Sequence, residues 1–212
     1  MKIGIDASRA FVEEKTGTEE YSYELISHMA SDFSFSKEDE IFLFVKWGTH
    51  IDFALPSNFF VKEIEGNFLW TQWHLSCELM KNPVDVLFVP AHTIPFWHPK
   101  KSVATIHGLE FKSCSDCYTR KDRWLLDLNT RLSIFFARKI IAPSESTKKE
   151  IVKFYKVSPE KISVIYHGAS VRKIVEGKKD KDGFDILFIG RQERRKNIVR
   201  MIHAFDIFMN KE

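Results

Sequence analysis

The sequence predicts an α/β fold, a doubly wound parallel sheet with the start of a second, truncated unit behind it. Three observations predict it. Ile41 to Val45, five apolar residues in a row, and the short β-forming runs Val84 to Val89 and Val103 to Ile106 have the length and character of strands buried on both faces. Stretches with helical spacing alternate with them, the order that builds parallel sheets. A polar, glycine-flanked stretch, residues 173–184, then breaks the pattern before a fresh apolar run begins.

In chain order, Lys2 to Asp6 reads as a first strand. Thr16-Gly17-Thr18 opens a helix whose stripe is Tyr21, Leu25, Ile26 and Met29. Ile41 to Val45 is a strand, and Phe59 to Ile64 a weaker one. Phe68 to Met80 is expected to be helical and is closed by Asn82-Pro83. Val84 to Val89 is a strand stopped by Pro90. Val103 to Ile106 is the next, ending at His107-Gly108. A long helix is expected from Arg120 to Ala137, with Leu125, Leu128, Leu132 and Phe135 on one face. Lys139 to Ala142 is a short strand. Ser144 then caps a helix that turns Ile151, Phe154 and Tyr155 inward, and Glu145 suits its positive end. Lys161 to Ile165 is a strand running into Tyr166-His167-Gly168. These elements make a first domain, 1–172, with a predicted core at Ile3, Ile5, Val86, Phe88, Ala104 and Ile106. A linker spans 173–184. Residues 185–212 supply one strand, ending at Ile189, and one helix striped by Ile198, Met201, Ile202, Phe205, Phe208 and Met209.

Bulk properties exclude several classes. Hydrophobic residues are 44% and charged residues 29%, the balance of a globular protein. A net charge of +3 gives no electrostatic case for nucleic acid. No apolar run approaches the ~20 residues of a membrane-spanning helix, and the N-terminus reads directly as a strand rather than as a leader. Three cysteines, Cys77, Cys114 and Cys117, without a leader point to a reducing cytoplasm. Cys114 and Cys117 have metal-ligand spacing but no second pair follows, so the default reading is a free thiol pair and no metal site is expected.

Two turns carry candidate chemistry. In open α/β sheets ligands sit beyond the carboxyl ends of the strands. His107 ends a strand and lands there, as a functional imidazole or as a cap on a nearby carbonyl. The second turn, Gly190 to Asn197, sets Arg191, Arg194, Arg195 and Lys196 between an expected strand and helix. That is where free N–H groups and a positive dipole meet an anion, and such side chains suit a diphosphate. The alternative is a solvated basic loop. Other nucleotide signatures fail: the first strand lacks G-x-G-x-x-G, and neither a phosphate-binding G-x-x-x-x-G-K-[ST] loop nor a G-x-S-x-G elbow is present.

With these residues in place, the chain resembles the N-terminal part of glycosyltransferase family 4. The matching pieces are Met1 to Ala7, Thr16-Gly17, Thr105 to Phe111, Ile141 to Thr147, Val164 to Gly168, and Phe188 to Arg191 with Lys196-Asn197, all in family order. The resemblance implies two Rossmann-like domains of the GT-B arrangement, the first on the acceptor side and the second, incomplete, on the donor side. It implies retaining, metal-independent transfer of a sugar from a nucleotide-sugar donor to a hydroxyl of a saccharide or lipid-linked acceptor, with no cofactor. Carried over, His107 is the catalytic-site residue that bonds a donor-sugar hydroxyl. Arg191 and Lys196 hold the donor diphosphate. Gly17 lets its loop approach the substrates, and a bulky residue there would close the cleft. Two positions depart from the family pattern: Glu19 stands where a second glycine is common, and Gly108 where an aspartate is common. The acidic pair of the family's donor domain lies past Glu212, so enzymatic turnover by these residues alone is not expected.

A non-catalytic Rossmann-like remnant that binds a sugar or a partner is the alternative function. An unrelated nucleotide-binding protein is a third, opposed by the missing glycine fingerprint. The expected location is cytoplasmic, with peripheral contact at the inner membrane face if Arg120, Lys121, Arg123 and Trp124, with Trp70 and Trp73, form a basic-aromatic surface rather than a solvated helix start and core tryptophans. Residues 185–212 are too apolar to remain in water and are expected to pack on the first domain or to self-associate.

Overall fold

The structure is a computed structural model that describes residues 1–31, 35–91, 93–168 and 186–210. Its centre is one parallel sheet of seven strands in the order β3-β2-β1-β4-β5-β6-β7. The strands are β1 (Lys2–Asp6), β2 (Glu40–Lys46), β3 (Phe59–Ile64), β4 (Val86–Val89), β5 (Lys101–Thr105), β6 (Lys139–Ala142) and β7 (Ile162–Val164). The helices are α1 (Gly17–Ser31), α2 (Ser76–Lys81), α3 (Glu110–Ser113), α4 (Arg120–Phe136), α5 (Glu145–Tyr155) and α6 (Ile198–Met209).

Alternate residues of each strand enter different layers, because side chains alternate across a pleated strand. Ile3, Ile5, Ile41, Leu43, Val45 and Phe88 pack with Ile26 of α1 on one face. Phe44, Leu87, Val89, Ala104 and Ile140 pack with Leu79 of α2, Ile134 of α4 and Ile151 of α5 on the other. Helices therefore cover both faces, which keeps parallel strands dry. Of the predicted core, Ile3, Ile5, Phe88, Ala104 and Ile106 are buried, while Val86, first residue of β4, is half-buried.

The order of the strands positions the site. The chain runs outward from β1 to β2 and β3, then returns to lay β4 on the other side of β1. The strand order reverses between β1 and β4, and a crevice forms at such a reversal because the flanking loops diverge. The loop after β1 and the segments after β4 and β5 edge that crevice.

The structure corrects several expectations. Phe68 to Met80 is not one α-helix. A π-helical turn, Trp70–Leu75, runs into α2. Leu69 before it is left-handed at φ 49° with no side-chain cap, so a regular helix does not begin there. Just upstream Gly66, at φ 112°, lies against His74, whose Cε1 would sit 2.3 Å from an added Cβ. Only glycine fits both the backbone angle and that contact.

Ile186 to Ile189 is not a strand. These residues are 69%, 80%, 38% and 85% exposed, since among the described residues no strand offers a ladder to this run and an unpaired apolar run has no sheet to join. The α6 helix does form, but none of its residues is buried. The predicted linker, 173–184, and Asp185 lie outside the described residues.

Two surface readings also change. Trp70 is buried with its Nε1–H donating to the Ile64 carbonyl at 3.3 Å, but Trp73 is 67% exposed and is not a core tryptophan; Trp124, in the first turns of α4, is 67% exposed as well. The apolar stripe of α4 lies largely at the surface. Leu125, Leu128 and Phe135 are exposed, Leu132 is half-buried, and the buried residues of that helix are Ser133 and Ile134.

Candidate functional site

His107 follows β5 directly. Ile106 before it still hydrogen-bonds the Ile141 carbonyl of β6 at 2.9 Å, so the ladder holds the chain straight up to the histidine. Its Nε2 lies 2.8 Å from the Pro90 carbonyl, beyond the end of β4. Burial disfavours the imidazolium most, and the neighbouring charge of His167 adds to it. The Pro90 carbonyl, Glu110 and Glu19 pull the other way, and the net pKa lies below an ordinary imidazole.

Gly17 begins α1. Thr16 before it and Glu19 after it make the carboxylate half of a capping box. The Glu19 carboxylate accepts from the Thr16 hydroxyl and from its backbone N–H, the latter at 3.2 Å. Glu19 also pairs with Arg9 at 3.0 Å while its side chain is 8% exposed. Burial opposes that charge, yet the Thr16 bonds and Arg9 outweigh it and hold the carboxyl below its usual range. The residue that departs from the family pattern is thus the cap of α1. A Cβ placed on Gly17 meets no atom within 4 Å, so nothing in the fold itself demands glycine there.

Arg191 lies in the turn after the exposed run. It is 69% exposed and pairs with Glu193 at 3.2 Å. Lys196 ends a short 3-10 turn, Arg194–Lys196, and Asn197, left-handed at φ 56°, leads into α6. The basic side chains thus precede the helix rather than occupy its first turn. Two contacts hold this segment against α3 and the short turn after it. Arg195 Nη1 lies 3.6 Å from Glu110 Oε1, and Arg194 donates to the Asp116 carbonyl at 3.4 Å.

The structure brings these residues together at one place. His107 and Arg191 line one cleft of about 680 Å³, together with Thr16 and Thr18 on either side of Gly17. Lys196 lines an adjoining cavity of about 350 Å³ that also contains His107 and Gly108. Threonine and asparagine side chains, Thr93, Asn129 and Thr130 among them, complete the larger cleft. The arrangement offers hydroxyl and amide partners to a polyhydroxylated ligand, and cations to an anion. Among the described residues, no group of three or more His, Cys, Asp or Glu side chains is placed to hold a metal ion.

Cys114 and Cys117 are joined as a disulfide, not held as the free pair expected; three residues apart, their Cα atoms are 5.5 Å apart, within disulfide reach. Cys117 lines the larger cleft and Cys114 the smaller.

Sequence reasoning missed three members of the site. Glu110 and Arg195 line both cavities; Arg195 was legible only as one of four basic residues in the turn. Tyr21 was placed on an apolar helical stripe, and its ring instead lies against His107 at 4.8 Å and against His167 at 4.8 Å. No spacing distinguishes such a tyrosine from a core aromatic.

The sequence model of Glycosyltransferase Family 4 matches residues 16–173, most of the described sheet and both Gly17 and His107. The chain belongs to glycosyltransferase family 4. Among curated proteins, none matches it. The match ends before Arg191 and Lys196.

Proposed function

We propose that this chain is part of a retaining, metal-independent glycosyltransferase that uses a nucleotide-sugar donor and a saccharide or lipid-linked acceptor. One observation carries the reading: in a family 4 chain, His107 shares its cleft with the basic turn that contains Arg191, and Lys196 lies in the adjoining cavity beside it. In the reaction the bond from the anomeric carbon to the diphosphate breaks, and a bond to the acceptor oxygen forms with the same configuration. The acceptor proton leaves with the diphosphate. Arg191 and Lys196 offset the charge that grows on the leaving group, the role of a fixed electrostatic clamp. Of the four cations in the turn, Arg191 and Arg195 pair with the carboxylates of Glu193 and Glu110, so the turn keeps a net positive charge for an anion. His107 bonds a sugar hydroxyl, and the Thr16-Gly17-Thr18 strap borders the acceptor.

Exposed Trp73 and Trp124, with Arg120 and Arg123 beside Trp124 in a shallow pocket, support peripheral contact with the inner face of a cytoplasmic membrane. Ile186 to Ile189 and the apolar side of α6, exposed together, support self-association. The same exposure favours the second reading, a binding module without turnover, because an exposed, unpaired run builds no donor wall.

The test is transfer from a panel of labelled nucleotide sugars to free glycans and to lipid-linked sugars in vesicles. Label in a glycoside product, lost in His107→Ala, would support the transferase. Saturable binding of nucleotide or glycan with no transfer would favour the binding module.

A further inference from the structure

Three ring systems meet behind the cleft. The His107 and His167 rings stack with centroids 5.7 Å apart and 18° between their planes. Tyr21 sets its edge against both, at 80° to His107 and 64° to His167. Its hydroxyl reaches Thr105 Oγ1 at 3.3 Å. These contacts come from four elements of the sheet crest: α1 through Tyr21, the ends of β5 and β7 through the two histidines, and the end of β4 through Pro90. Neither Tyr21 nor His167 lines the two cavities, whereas His107 lines both.

The hydrogen bond to Pro90 fixes the proton on His107. A carbonyl oxygen only accepts, so Nε2 is the protonated nitrogen. Nδ1 has no hydrogen-bond partner among the described residues. We propose that Tyr21 and His167 are positioning residues: they clamp His107 as a neutral imidazole, with Nε2–H on the Pro90 carbonyl and Nδ1 left as a hydrogen-bond acceptor for the ligand. The sense of the contact follows. A ligand hydroxyl donates to His107 and does not accept from it. This rests on the reading of the cleft as the substrate site, but the clamp itself does not.

The charged and titratable groups around His107 agree with a neutral ring. Tyr21 packs as a neutral phenol whose own ionisation burial pushes up. His167 repels a second positive charge. Glu110 and Glu19 oppose this, but burial outweighs them, and both carboxylates already hold cations, Arg195 and Arg9.

The test needs no ligand, so its failure is separable from failure of the transferase reading. Nitrogen-15 NMR of the intact chain identifies which ring nitrogen of each histidine is protonated, and a pH series follows each ring. In the parent, His107 should be protonated at Nε2 at pH 7.5, with that proton slow to exchange with water. It should titrate below the ordinary imidazole value of 6.5. Tyr21→Phe supplies the same ring edge and should keep all three properties. Tyr21→Leu should lose the slow exchange and let the titration rise toward the ordinary value. His167→Gln removes an exposed ring and a like charge, and should raise the His107 titration even if Tyr21→Leu fails to fold. A His107 protonated at Nδ1, or a ring unchanged in His167→Gln and in any folded Tyr21→Leu, would overturn the proposal.

Discussion

Arg195 lies 3.6 Å from Glu110, Nη1 to Oε1, with the two side chains 28% and 53% exposed. An ion pair this exposed contributes little to stability, because water and salt screen it. It matters for the site, since Glu110 occupies a cation that borders both cavities. Glu110→Gln should change the unfolding free energy by less than about 1 kcal/mol and should strengthen inorganic pyrophosphate binding. Denaturant unfolding and calorimetry check the two halves. Weaker pyrophosphate binding in the variant would show that Glu110 orients Arg195 rather than competing for it.

Asp127 is the tie between three helices. It pairs with Lys112 of α3 at 2.7 Å and with Arg131 of its own helix at 3.1 Å, and it accepts from the Tyr155 hydroxyl of α5 at 2.8 Å. Burial alone would raise its pKa, but the bonds from Lys112, Tyr155 and Arg131 win and hold it below 3.8. A depressed carboxyl pKa means the folded state binds fewer protons than the unfolded one. Its stabilisation is therefore full above the unfolded value and fades as pH falls through the folded one. Asp127→Ala should cost roughly 1–3 kcal/mol at pH 7, the range for lost bonds to charged groups. The difference from the parent should shrink below pH 4. A difference that stays constant down to pH 2 would contradict the assignment.

Gly17 separates folding from binding. A Cβ there meets nothing within 4 Å, and Ala loses less conformational entropy than Gly on ordering. Gly17→Ala should therefore match or exceed the parent in thermal stability, by up to about 1 kcal/mol. Gly17→Phe should fold too, yet bind glycan ligands at least tenfold more weakly if the strap borders the acceptor. Unaltered glycan affinity in a folded Gly17→Phe would remove Gly17 from the site.

The sheet was legible because its signal is local and redundant. Ile41 to Val45 is an unbroken apolar run and Val103 to Ile106 a short run of β-formers, and in a parallel sheet covered on both faces such runs have one place to go. The same signal misled at Ile186 to Ile189, where the run is apolar but no described strand edge receives it. His107 could be placed because a strand end in an open α/β sheet is where ligands sit. Tyr21 could not, because its contacts join residues 86 and 146 positions away in the chain, and no local pattern encodes them. Glu19 read as a departure from a family pattern, although Thr16-Gly17-Thr18-Glu19 also spells a capping box. The outward face of α4 defeated periodicity for a different reason. Helical spacing finds an apolar side, but it does not say whether another element covers it.

The turn from Arg191 to Lys196 and the His107 cleft are proposed to receive a diphosphate-linked sugar together. Isothermal titration of the intact chain with uridine and guanosine diphosphates, and with their sugar conjugates, tests this. Saturable binding of at least one nucleotide is expected, weakened by on the order of 1–3 kcal/mol in Arg191→Ala and in Lys196→Ala. His107→Ala should weaken the sugar conjugate more than the bare diphosphate. Equal affinity in parent and variants, or no binding of any nucleotide by folded protein, would contradict it.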